Sequence, residues 1–314
     1  MVRVVELAEI QAAVDPFVAR ISLAEGFKAF SRGEAVLPEV GELTFKDPDG
    51  EAHVKLGHIR GDRFFVIKIA TGFYENVRNG QPAQDGALLV HERATGQLSH
   101  VLLDHGWLTD LRTALAGALV AERLAPARVD CIGIIGTGTQ ARLQVTCLDG
   151  VINCRRLRVW GRSPDHARNY VNELSSQGYE VTIAADPDEL AECQLIITTT
   201  PSATPLLHRV NPGTHVTCVG TDSPQKNEIS PAVLAAADLI VVDSLHQCLS
   251  RGDLRHAVAA GLVEGTSAVE LGTLLEKPRL QTNSNRISVA DLTGLAVQDI
   301  CMANHVIQSL TEST

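Results

Sequence analysis

A chain of 314 residues, 45% apolar and 20% charged, has globular composition and is long enough for two domains. No apolar run approaches the roughly 18 residues of a membrane span, which excludes an integral membrane protein and a membrane partner. Thirty-seven acidic residues against 27 Lys and Arg leave a formal charge of −10 with no basic cluster, so a nucleic-acid backbone would be repelled.

In chain order, Asp15-Pro16 supplies an N-cap and a first-turn proline to a helix whose apolar stripe is Phe17, Ile21, Ala24, Phe27 and Phe30, ending at Gly33. Extended segments at 41–45, 52–59, 63–70, 86–92 and 98–104 are separated by turns such as Asp47-Pro48-Asp49-Gly50 and Ala94-Thr95-Gly96. They imply antiparallel hairpins and an α+β domain. A helix from Thr109, stopped by Pro126, bridges to a second region. There, apolar strands at 131–135, 156–160, 180–185, 195–199, 215–219 and 239–242 alternate with helical stretches, the pattern of a doubly wound parallel sheet. A strand at 287–290 and a helix from Gly294 to Leu310 close the chain. The expected fold class is α/β: a Rossmann-type doubly wound domain at 126–293 and an α+β domain at 1–125, rejoined by the C-terminal helix 294–314.

The seven cysteines are odd in number, contain no C-x-x-C and sit mostly in apolar stretches, as Cys131 and Cys218 do. They read as reduced core thiols of a cytoplasmic protein, and Glu6 and Glu9 interrupt any secretory signal. His53, His58, His91, His100 and His105 are dispersed without the spacing of a metal site, so no metal is expected.

Gly136-Thr137-Gly138-Thr139-Gln140-Ala141 places G-x-G-x-x-A between an apolar strand and a helix. Gly136 would make the tight turn, Gly138 would let the backbone approach a pyrophosphate, and Ala141 would let helix pack on strand. The helix N-terminus would add unpaired N–H groups and positive dipole. The second strand ends in Trp160-Gly161-Arg162-Ser163, with no carboxylate before Asp165 to hold a ribose 2′-hydroxyl. Arg162 and Ser163 suit a 2′-phosphate, so NADP(H) is favoured and NAD(H) possible; the alternative for Arg162 is a solvated surface charge. Thr199, Pro201 and Ser202 follow a strand and are expected to line the nicotinamide side of the crevice.

Four motifs in this order, Val66-Ile67-Lys68, Leu108-Thr109-Asp110-Leu111-Arg112-Thr113-Ala114, the glycine turn, and Val219-Gly220-Thr221-Asp222-Ser223-Pro224-Gln225-Lys226, resemble the ornithine cyclodeaminase/mu-crystallin family, as does Gly294-Leu295-Ala296-Val297-Gln298-Asp299. The resemblance covers nearly the whole chain. It implies a homodimer whose N-terminal domain holds the substrate and pairs with its twin, and hydride chemistry at the α-carbon of an amino or imino acid. Lys68 and Arg112 match the positions that bind the substrate carboxylate, Arg112 bidentately and Lys68 while polarising the nitrogen. Thr113, Gly220 and Asp222 join the cofactor side, with Asp222 as proton carrier and Lys226 as its nearby cation. Each has a plainer alternative: an edge-strand charge for Lys68, a helix salt bridge to Asp110 or Asp104 for Arg112, and a turn cap for Asp222.

Two departures bear on the substrate. Cyclodeaminases carry an arginine on the first strand of this domain, and Leu37-Pro38-Glu39-Val40-Gly41-Glu42-Leu43 has none. They also carry an acid thirteen positions before the strand lysine, where this chain has Lys55. If Lys55 shares a face with Lys68, a cationic ornithine side chain is opposed by about 4 kcal/mol per close pair at intermediate dielectric. A one-residue slip would turn Lys55 outward. The expected activity is therefore an NAD(P)-dependent imine reductase or amino-acid dehydrogenase. The alternatives are ornithine cyclodeaminase proper, which recycles bound NAD, and an NADP-gated binding protein without catalysis.

Overall fold

The computed structural model describes residues 2–279 and 285–312. Its first stretch runs β1 (Arg3–Glu6), α1 (Leu7–Ala13), α2 (Pro16–Ser31), β2 (Ala35–Val36), β3 (Gly41–Lys46), β4 (Asp49–Ile59), β5 (Phe64–Gly72), β6 (Gln84–Glu92), β7 (Leu98–Leu103) and α3 (Trp107–Leu124). Then come β8 (Ile132–Ile135), α4 (Thr139–Cys147), β9 (Arg156–Trp160), α5 (Pro164–Ser176), β10 (Glu180–Ile183), β11 (Leu195–Thr198) and β12 (His215–Cys218). The remainder is α6 (Pro231–Ala235), β13 (Leu239–Val242), α7 (Leu245–Ser250), α8 (Asp253–Ala259), β14 (Val269–Glu270), α9 (Leu271–Leu275), β15 (Ser288–Asp291) and α10 (Ala296–Glu312).

The chain packs as two units, one comprising residues up to Arg112 together with those from Leu295 onward, the other Thr113–Gly294. The sequence sets the change at Pro126, whereas the packing changes inside α3, after Arg112.

In the first unit the Asp15 carboxylate accepts from the amides of Phe17 (2.8 Å) and Val18 (3.3 Å), fixing the start of α2. The buried line of α2 is Ala19, Leu23, Gly26 and Phe27. This corrects the expected stripe, since Phe17 and Ile21 are 63% and 51% exposed. The reason is the closeness of α10, where a Cβ on Gly26 would lie 2.4 Å from Cys301 Sγ. Small residues take that approach, so Phe17 and Ile21 are turned to the surface while Phe27 of the expected stripe stays buried.

The sheet has the order β1-β7-β6-β5-β4-β2, with β3 also on β4. All pairs are antiparallel except β1 with β7, a parallel pair that four residues of sequence do not announce. Along β5, Phe64, Val66 and Lys68 alternate onto the buried face, and Ile69 points the other way. α10 packs on β4 and β5, bringing the buried Asp299, Ile300 and Met302 into this unit.

The second unit is one parallel sheet in the order β10-β9-β8-β11-β12-β15-β13-β14. The Rossmann-type expectation is met, with β14 as an extra edge strand. Ile132, Ile134, Leu157, Val159, Leu195 and Ile197 are fully or almost fully buried, as the continuous apolar runs of strands covered on both faces require.

Candidate active site

From β8 the chain builds one side of the second sheet through β9 and β10, then returns to build the other through β11 and β12. The crevice outside the carboxyl ends at that reversal is where open α/β sheets bind ligands. It is a cleft of about 330 Å³ lined by Gly136, Thr137, Gly138, Trp160, Gly161, Arg162, Ser163, His166, Thr199, Thr200, Pro201, Ser202 and Leu206.

Gly136 has φ +124°, and a Cβ there would lie 2.3 Å from Thr199 Oγ1. A Cβ on Gly138 would meet nothing within 4 Å, so the backbone borders open space. Gly138 is also the N-cap of α4 and offers no side-chain cap, leaving the first amides of the helix to a ligand or solvent. Thr139 and Gln140 form the first turn of α4, and Ala141 is fully buried in the core between sheet and helices, its carbonyl accepting from Tyr170 Oη at 3.0 Å. None of these three lines the cleft, and neither does Thr113, whose carbonyl accepts from Gln144 Nε2 at 3.2 Å. Sequence reasoning missed Arg142. Its guanidinium donates to the carbonyls of Thr137 and Gly138 and to Glu173, and stacks over Tyr170, holding the glycine turn closed. Ser163 caps α5, accepting from His166 N at 3.4 Å, and Arg162 makes no ion pair among the described residues.

The first unit carries a separate charge cluster. Lys68 Nζ donates to Asp299 Oδ1 at 2.9 Å, and Arg112 Nε donates to the same oxygen at 3.1 Å. Arg112 Nη1 donates to Gln298 Oε1 at 2.7 Å. Lys68, Arg112 and Asp299 are 2%, 5% and 3% exposed, and Asp299 Oδ2 has no partner among the described residues. Neither Asp110 nor Asp104 is the partner of Arg112 in this cluster. Asp104 instead accepts from Leu108 N at 2.9 Å, fixing the first turn of the helix that presents Arg112. Gln298 and Asp299 lie in a motif the sequence brings to notice without showing their role.

Lys55 pairs directly with Lys68 across β4 and β5, so the two side chains share a face. Burial pushes Lys68 down to about 7; Asp299 opposes the shift, while Arg112 and Lys55 add to it. For Asp299, burial would raise the carboxyl, but Lys68, Arg112 and Lys55 outweigh it and hold the group below the usual range.

Asp222 is exposed and accepts from Lys226 Nζ at 2.6 Å. Gly220, two residues earlier, has room only for hydrogen, since a Cβ would lie 2.2 Å from the Thr200 carbonyl oxygen. Neither residue lines the cleft. Among the described residues no group of three His, Cys, Asp or Glu could hold a metal ion, and no helix is long and apolar enough to cross a membrane.

A doubly wound sheet with an uncapped glycine turn at its point of reversal defines a Rossmann-type protein. More particularly, the chain belongs to the ornithine cyclodeaminase/mu-crystallin family, whose model matches residues 1–314. A protein described as an uncharacterised cyclodeaminase from Sinorhizobium fredii is 37% identical over 295 residues, 92% of this chain and 89% of that one. An archaeal alanine dehydrogenase dimer with bound NAD has a TM-score of 0.90 and 25% identity, covering 100% of this chain and 97% of its own. The iminosuccinate reductase of Paracoccus denitrificans in complex with NAD+ gives 0.87 and 26%, over 99% and 96% of the two chains.

Proposed function

We propose that the protein is a nicotinamide-dinucleotide-dependent oxidoreductase acting at the α-carbon of a small amino or imino acid, in the reducing direction on an imine and with NADP(H) favoured. The observation that carries this reading is the buried Lys68–Arg112 pair gathered on one carboxylate oxygen. An ammonium has three donors and a guanidinium five, so the bonds to Asp299 and Gln298 leave donors for a substrate carboxylate. The donor set of the other unit suits a dinucleotide: an uncapped helix start behind open space at Gly138, with Arg162 beside it for a 2′-phosphate. A bound nicotinamide would supply the hydride. Lys68 Nζ, brought down to about 7, gives its proton to the imine nitrogen near neutral pH. The Asp222 carboxylate carries a proton to or from the product amine.

Lys55 beside Lys68 favours a neutral or acidic side chain over a cationic one. The iminosuccinate reductase among the similar structures has an acidic substrate by name. A homodimer accounts for the exposed Phe17, Ile21, Leu43, Phe45 and Ile69 of the first unit, and the similar alanine dehydrogenase is a dimer. The second reading, a cyclodeaminase, is favoured by the name of the 37%-identical relative.

The test is purified protein with NADPH or NADH and imines formed from keto acids and amines. Consumption of the reduced dinucleotide is expected, fastest with acidic or neutral keto acids and with NADPH. No consumption with any imine would overturn the reductase, and ammonia release from ornithine with catalytic NAD would establish the second reading.

A further inference from the structure

We propose that Glu228 is the positioning residue of the dinucleotide cleft, clamping the loops that leave β11 and β12 so that the Thr199–Ser202 wall stands at the distance a dinucleotide requires. This rests on the reading of the cleft as a dinucleotide site.

Glu228 is fully buried and lies outside the glycine turn and the Lys68–Arg112 cluster. Its two oxygens take four donors. Oε2 accepts from Thr198 Oγ1 at 2.7 Å and from Gly220 N at 2.8 Å, and Oε1 accepts from Thr200 Oγ1 at 2.8 Å and from Thr200 N. Two donors come from the end of β11 and its loop through Thr200, one from buried Thr198 within β11, and one from the loop after β12. The glutamate is itself fixed, its amide donating to Asp253 Oδ1 at 2.7 Å and its carbonyl accepting from Leu206 N at 2.8 Å. Asp253 also takes Thr221 Oγ1 at 2.8 Å, so the start of the Asp222 loop is tied to the same pair of acids.

Only a carboxylate accepts at both oxygens. A glutamine of the same size would turn an NH₂ toward either the Thr200 donors or the Thr198 and Gly220 donors, and one loop would come loose. The release would reach the cleft directly, because Thr199 Oγ1 lies 2.3 Å from where a Cβ on Gly136 would be. A small shift of Thr199 and Thr200 therefore changes the gap between that wall and the glycine turn.

The experiment is fluorescence titration of NADPH and NADH into wild type, Glu228→Gln, Thr198→Val and the double variant, with amide hydrogen exchange on each. Loss of one such tie should raise the dinucleotide Kd about tenfold in Glu228→Gln and about threefold in Thr198→Val. The double variant should bind no more weakly than Glu228→Gln, and exchange at Thr200 and Gly220 should quicken while β8 and β9 exchange as in wild type. Thr198 is buried and does not line the cleft, so its loss loosens the clamp without removing a group that faces the ligand, and the double variant tells whether its effect passes through Glu228; it also carries the test if Glu228→Gln does not fold. Variants with lowered melting points but Kd values within twofold of wild type would show a purely structural acid and overturn the proposal, as would additive effects in the double variant. Wild type binding neither dinucleotide would instead fail the reading of the cleft, and the proposal with it.

Discussion

Asp299 governs what Lys68 can do. One of its oxygens takes both cations, and without that anion the lysine would lose the largest influence that opposes its downward shift. Asp299→Asn should therefore move the Lys68 limb of the pH–rate profile further down. In the reducing direction activity falls as Lys68 loses its proton, so the wild-type decline is expected near pH 7 and the variant's at lower pH. Breaking a buried pair of this kind also costs roughly 3–5 kcal/mol of stability, read by urea denaturation. The sign for stability follows from the direction of the lysine shift. Its folded-state value lies below the ordinary 10.5, so the unfolded chain binds more protons between about 7 and 10.5, and this group makes stability rise with pH across that window. Lys68→Met should flatten the rise in denaturation midpoints measured from pH 7 to 10.

At the scale of elements, the close crossing of α2 and α10 is the sensitive joint. Gly26→Ala would drive a methyl against Cys301 and should cost about 1–3 kcal/mol, more than the roughly 1 kcal/mol expected for removing the Asp15 cap with Asp15→Ala. Urea midpoints of the two variants compare them directly, and equal losses would mean that α10 yields easily. What was legible in the sequence divides along the same line. The α2 cap and the strand–glycine–helix unit are encoded within a few adjacent residues, so both could be read. The buried line of α2 could not, because Phe17 and Ile21 repeat as regularly as Ala19 and Leu23, and only the neighbouring helix decides between them. Lys68 was visible as a charge inside an apolar strand, but its partner lies 231 positions away, and no local pattern joins them. The shared face of Lys55 and Lys68 depended on strand register, which a single slipped residue would have reversed.

At the scale of the molecule, the second unit is one continuous stretch and the first is split around it. Residues 113–294 expressed alone should fold and bind a dinucleotide, whereas a chain ending before Leu295 should lose the first unit, since it lacks the helix that covers β4 and β5 and supplies Asp299. Limited proteolysis of the truncated chain should leave a fragment close to 113–294, and survival of the N-terminal portion would contradict the expectation. The split also sets a timetable for synthesis. On a ribosome adding about 5–20 residues per second, the N-terminal sheet waits on the order of ten seconds or more for its closing helix to emerge. Through that interval α1 and α2 touch the nascent sheet but β4 and β5 lack their main covering helix, and the newborn chain is a natural client for a chaperone at the tunnel exit.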